Sequence, residues 1–118
     1  MEDFINMNSF DVSIGDKTYK MFFDRRSARQ FEEIGGNLSD MREKIFSSTD
    51  RLFYVGLRKF HPQISFAEAQ ELSDKAIDEY GIQEVYGALS DKFMEVFTQG
   101  ENSSTGKSFL AAKKTART

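Results

Sequence analysis

Few residues in this sequence are equipped for chemistry, and their spacing decides what each can do. Gly106-Lys107-Ser108 has the ending of a phosphate-binding loop. That loop would place its first glycine at position 101, which is Glu101, and Gly100 falls one residue too far out. It must also join a buried strand to a helix whose N-terminus faces the phosphates, whereas an amphipathic segment precedes this one. The stretch reads as a Gly/Ser linker. His61 is the only imidazole of the chain and stands directly before Pro62. At a helix end its charged form favours the helix dipole, which is a structural role. There is no Cys, which removes disulfides, thiolate metal sites and Cys nucleophiles together and agrees with a reducing cytoplasm. No metal site and no cofactor is expected.

Carboxylates occur in pairs at Glu32-Glu33, Asp78-Glu79 and Glu68/Glu71. Acid–base catalysis needs two carboxyls in unlike environments, so that their proton affinities differ. All three pairs fall on polar helix faces, and the reading is therefore non-enzymatic. Arg25-Arg26-Ser27-Ala28-Arg29 is the densest basic cluster ahead of residue 99. Arg25 and Arg29 share a helix face, with Arg26 beside Arg29 and with Glu32 and Glu33 within pairing distance in sequence. Nucleic-acid binding would call for base-stacking aromatics or a helix-turn-helix, and the aromatics here recur at core spacing.

The elements that must position these residues follow from pattern. Residues 1–8 show no period and read as a flexible leader. Ser9 to Ile14 alternates polar and apolar, Gly15-Asp16 suits a two-residue hairpin turn, and Lys17 to Phe23 returns. On the return strand Tyr19, Met21 and Phe23 share one face, and Thr18, Lys20 and Phe22 the other. Asp24 then caps a helix carrying Ala28, Phe31 and Ile34 and ending at Gly35-Gly36. Asn37 is placed to cap a second helix, with Leu38, Met41 and Ile45 inward. A third opens at Ser47 or Ser48 and stops before Pro62. Ser65 with Glu68 forms a capping box for a fourth, which ends at Gly81. Ile82 to Phe97 is the most regular apolar stripe, the fifth helix. The expected fold is α+β and mostly α, an N-terminal β-hairpin followed by about five short helices over 9–98.

Composition adds two constraints. The 118 residues include twelve Phe, four Tyr and five Met, apolar bulk beyond the needs of a small core and suited to adaptable protein binding. Charge is uneven: residues 1–98 hold twelve Lys/Arg against eighteen Asp/Glu, and residues 99–118 hold Lys107, Lys113, Lys114 and Arg117 against Glu101. The latter stretch reads as a flexible basic tail or linker. No apolar run reaches the ~20 residues of a membrane span, and Met1-Glu-Asp is not the opening of a signal peptide.

The layout resembles the tail assembly chaperones of long-tailed bacteriophages. The likeness is carried by the hairpin with Gly15-Asp-Lys-Thr-Tyr-Lys-Met-Phe-Phe23, the helix ending Glu33-Ile-Gly-Gly36, the closure near His61-Pro62, and the helix start Gln63-Ile-Ser-Phe-Ala-Glu-Ala69. It covers about residues 9–98, and none of its motifs is catalytic. The resemblance implies a chaperone that coats and solubilises the tape-measure protein and helps bring tail-tube protein to it. It implies work in the host cytoplasm, absence from the finished virion, and homo-oligomers formed through the hairpin edge. On that reading Tyr19, Met21 and Phe23 are the expected contact residues, with Arg25, Arg26 and Arg29 as a second candidate surface. The alternatives are a tail terminator or connector subunit, and a small nucleic-acid-binding regulator using those arginines and the basic tail.

Overall fold

The structure, a computed structural model, describes residues 9–98; the expected leader 1–8 and basic tail 99–118 lie outside the described residues. Strands β1 (Ser9–Ile14) and β2 (Lys17–Phe22) pair antiparallel across Gly15-Asp16. The register sets Phe10 opposite Met21 and Val12 opposite Tyr19, so these apolar side chains share one face. On the other face Asp11 lies opposite Lys20, and the two pair at 3.3 Å. Phe22 points to that outer face but is buried, with the Lys59 ammonium over its ring.

Helix α1 (Arg25–Glu33) begins with a capping box, the Asp24 carboxylate accepting from the Ser27 N–H at 2.9 Å and Ser27 Oγ accepting from the Asp24 N–H at 3.2 Å. It ends in a Schellman arrangement: Gly36 N–H donates to the Phe31 carbonyl and Gly35 N–H to that of Glu32. Gly35 holds φ +98°, which a side chain would disfavour.

The helix expected behind Asn37 does not form. Its place is taken by one 3₁₀ turn, Leu38–Asp40, and irregular turns up to Lys44. Asn37 Oδ1 accepts from both the Ser39 N–H and the Ser39 hydroxyl, a local alternative to helix bonding. Met41 alone is buried in that stretch, too little to hold a short helix. Ile45 belongs instead to α2 (Ile45–Leu57). Then come α3 (Phe66–Tyr80), opened by the expected Ser65–Glu68 box, and α4 (Ile82–Thr98). Gly81 alone joins them, its N–H bonded to the Ile77 carbonyl and its carbonyl to the Val85 N–H. The described residues thus form a hairpin, four α-helices and one 3₁₀ turn.

Helix α2 is the hub, packed against α1, α3, α4 and β2. Leu52, Phe53, Val55 and Leu57 are almost wholly inaccessible and meet Phe31, Met21 and Phe93 in one core. Rings interlock there, Phe93 lying 4.9 Å from Phe31 and 5.2 Å from Phe23 between centroids. The hairpin reaches this core because α2 has no side chain at Gly56. A Cβ built there would lie 2.5 Å from Met21 Cε and 2.9 Å from the Phe23 ring. Helix α3 is likewise buried through small residues, Ala69, Ser73 and Ala76, and the Ser73 hydroxyl is enclosed without a hydrogen-bond partner.

Three substitutions test this packing. Gly56→Val overfills the hairpin–helix contact and lowers stability by about 1–3 kcal/mol in urea titration. Gly87→Ala, in a helical position with open space around it, raises stability by about 0.5–1 kcal/mol. Ser73→Ala removes a buried hydroxyl that gains nothing in return, and the same titration shows a gain of about 0.5–1.5 kcal/mol. Loss of stability in Ser73→Ala would reveal a bond to that hydroxyl.

Candidate functional site

The structure separates the six residues expected to meet a partner. Met21 and Phe23 are core residues, 0% and 3% exposed, because their strand face is pressed onto α2 at Gly56. That is a correction: neither presents surface to a partner in this fold. Tyr19, on the same face but nearer the turn, is half-buried with its ring 6.1 Å from that of His61. Arg25, Arg26 and Arg29 lie exposed on α1, and their expected pairing with Glu32 and Glu33 does not occur among the described residues.

The paired carboxylates are all exposed, and two of them have structural work. Glu68 closes the α3 cap, and Glu79 accepts from the Gly15 N–H at 2.9 Å. His61 donates its backbone N–H to the Leu57 carbonyl, in the turn that leaves α2. Among the described residues no group of three or more His, Asp or Glu is placed to hold a metal ion. None of their helices is long and apolar enough to cross a membrane.

What the surface does offer is apolar. Leu38, Phe46, Phe60, Phe66, Met94 and Phe97 are each more than a third exposed, with Phe46 reaching 57%. They stand on the helices and turns, away from the strand face where sequence pattern placed the surplus. A groove of about 290 Å³ also opens between β1, α3 and α4. Val12, Ile14, Phe53, Val85 and Leu89 line it, and Asp11, Tyr80 and Glu84 stand beside them.

The hairpin side of this groove is set by the end of α3. Tyr80 donates its hydroxyl to the Ser13 carbonyl at 2.7 Å, while the neighbouring Glu79 holds the turn at Gly15. Together they clamp β1 to α3 from two consecutive residues. The Tyr80 phenol is held above its ordinary range, first by loss of solvation and then by the charge of Glu79. Periodicity could not reveal this clamp, since Tyr80 looks like one more member of the α3 stripe. The signal lay in a phenol directly ahead of a helix-ending glycine.

No family model, curated protein or solved structure matches this chain. Its function is therefore argued from its own surface.

The clamp has a pH signature. A phenol whose proton is held more tightly in the fold than in the open chain stabilises the fold below the usual value of about 10, and the contribution is lost as pH rises beyond it. Tyr80→Phe is expected to speed amide exchange in β1 severalfold at neutral pH. It should also remove from the tyrosinate absorbance titration a step lying above the usual phenol value. Unchanged exchange in that variant would show the clamp to be idle.

Proposed function

We propose that this chain is a tail assembly chaperone of long-tailed bacteriophages, one that keeps a tape-measure protein soluble and helps recruit tail-tube subunits to it. The observation that carries the reading is the exposed set Leu38, Phe46, Phe60, Phe66, Met94 and Phe97. The exposed part of these side chains adds nothing to the chain's own stability, whereas a holder of apolar helices needs it. Spread over several elements, they suit a long, repetitive client better than a single small ligand. The groove beside β1 supplies a deeper apolar contact of the same kind.

Charge supports the same role. The described residues carry sixteen Asp/Glu against twelve Lys/Arg, and the acids of α3 and α4 are exposed. A complex coated by such a surface repels other copies and stays dispersed. On this reading the protein works in the host cytoplasm, is absent from the finished particle, and forms homo-oligomers along its client.

The test is co-expression with a tape-measure protein, a long apolar helical chain. The client is expected in the soluble fraction only when this chain is present, and mass spectrometry of purified particles should find the client without the chaperone. The triple variant Leu38→Ser, Phe46→Ser, Met94→Ser is expected to keep its circular dichroism and melting behaviour yet leave the client insoluble. A folded triple variant that still holds the client in solution would overturn the reading, as would the chain's presence in the particle.

A further inference from the structure

Three cations from two elements line a single cleft of about 380 Å³: Arg26 of α1, and Arg58 and Lys59 just past the end of α2. Gln30, Val55 and Pro62 complete its walls. Asp24 stands at the same cleft, its Oδ1 accepting from the N–H and hydroxyl of Ser27, so three cations face a single carboxylate. The two cations on the α2 side are steadied by aromatics. The Arg58 guanidinium lies 5.3 Å from the Tyr54 ring centroid and donates to the Tyr54 hydroxyl, and the Lys59 ammonium sits 5.8 Å from the ring of Phe22. An aromatic face orients a cation without neutralising it.

These charges are unpaired in a chain that has acids to spare. The ion pairs among the described residues are Lys20–Asp11 and Lys44–Asp40, and no acid among them is within pairing distance of Arg25, Arg26, Arg29, Arg58 or Lys59. Helix α1 sharpens the point. Arg25 and Arg26 occupy its first turn and Glu32 and Glu33 its last, the reverse of what the helix dipole favours. Nothing inside the fold rewards that order.

We propose that the cleft is a docking site for an acidic peptide segment of a protein partner. Arg26, Arg58 and Lys59 receive its carboxylates, and the exposed ring of Pro62 receives an apolar side chain beside them. Guanidinium groups suit carboxylates because their planar forks can donate two parallel hydrogen bonds. A nucleic acid fits less well on two counts. The described residues carry sixteen Asp/Glu against twelve Lys/Arg, a net charge that disfavours a long polyanion reaching beyond the cleft. The neighbouring rings are also not free to stack on bases, since Phe22 is buried and Tyr54 lies between Arg58 and Phe66. The proposal does not rest on the assembly role, because the same cleft would serve any acidic partner.

The test uses the full chain and a fluorescein-labelled peptide of about a dozen alternating Glu and Leu residues, read by anisotropy at roughly 20 and 200 mM salt. Binding is expected at low salt, weaker at high salt, and absent for the peptide with Gln in place of Glu. Arg26→Glu with Arg58→Glu should weaken it about tenfold or more, and Arg26→Gln with Arg58→Gln gives the same direction should the first pair fail to fold. Lys17→Glu with Lys75→Glu makes the same change in net charge away from the cleft and should alter binding less than about twofold. Equal losses in the two charge-reversed proteins would reduce the effect to net charge and overturn the site. Tighter binding of an oligothymidylate of similar length would reassign the cleft to nucleic acid. Salt-sensitive self-association that disappears in the cleft variant would reassign it to a second copy of this chain.

Discussion

The contact on which the rest of this fold depends is the seating of β2 against α2 at Gly56. Two strands alone are marginal in water, and this hairpin is stable because its inner face has a helix beneath it. The approach leaves no room for a Cβ, and Met21 and the Phe23 ring fill the place where one would stand. Burying such side chains contributes roughly 1.5–3 kcal/mol each, more than any surface pair in the molecule supplies. Once Phe23 is fixed there, its ring meets Phe93 of α4 on one side and Phe10 of β1 on the other. A helix in the middle of the chain thereby draws the first and last elements into one core.

That seating also settles which surfaces remain for other molecules. With Met21 and Phe23 inside, the apolar excess has to emerge elsewhere, and it does so at Phe46 and Phe66 in the first turns of α2 and α3 and at Met94 and Phe97 near the end of α4. Helix α1 is held by Ser27 and Phe31 on its inner side, which leaves Arg25, Arg26 and Arg29 outward. Each charge set against the helix dipole costs about 0.3–1 kcal/mol. The core is large enough to bear that penalty, so an element whose surface is poorly chosen for its own stability can still be held rigidly.

The parts of this structure that were legible in the sequence are those governed by neighbours in the chain. The hairpin register follows from the alternation around Gly15-Asp16, and both capping boxes follow from residues three apart. Residues 37–44 imitate a helix in sequence because three apolar positions at helical spacing resemble a stripe, while the bonds that Ser39 donates to Asn37 Oδ1, which compete with a helix, leave no periodic trace. The partner surface failed for a different reason. Alternation correctly put Tyr19, Met21 and Phe23 on one face, but whether that face is covered depends on Gly56, more than thirty residues away. Spacing likewise allowed Arg29 to pair with Glu32 or Glu33. Only side-chain geometry shows that it does not.

The two surfaces of interest share one mechanical support. Leu57, fully buried, is the last residue of α2, and Arg58 and Lys59 follow it directly. Phe46 lies in the first turn of the same helix, and Phe66 packs its ring against Tyr54, which in turn steadies Arg58. Apolar and cationic display are therefore mounted on the hub that also carries the hairpin. A rigid mount lowers the ordering cost of binding, because few side chains have to be immobilised when a partner arrives. It also means that the basic cleft and the aromatic side chains around α2 present themselves in a fixed relation. A partner with acidic and apolar residues in alternation could engage both without any change in this chain's fold.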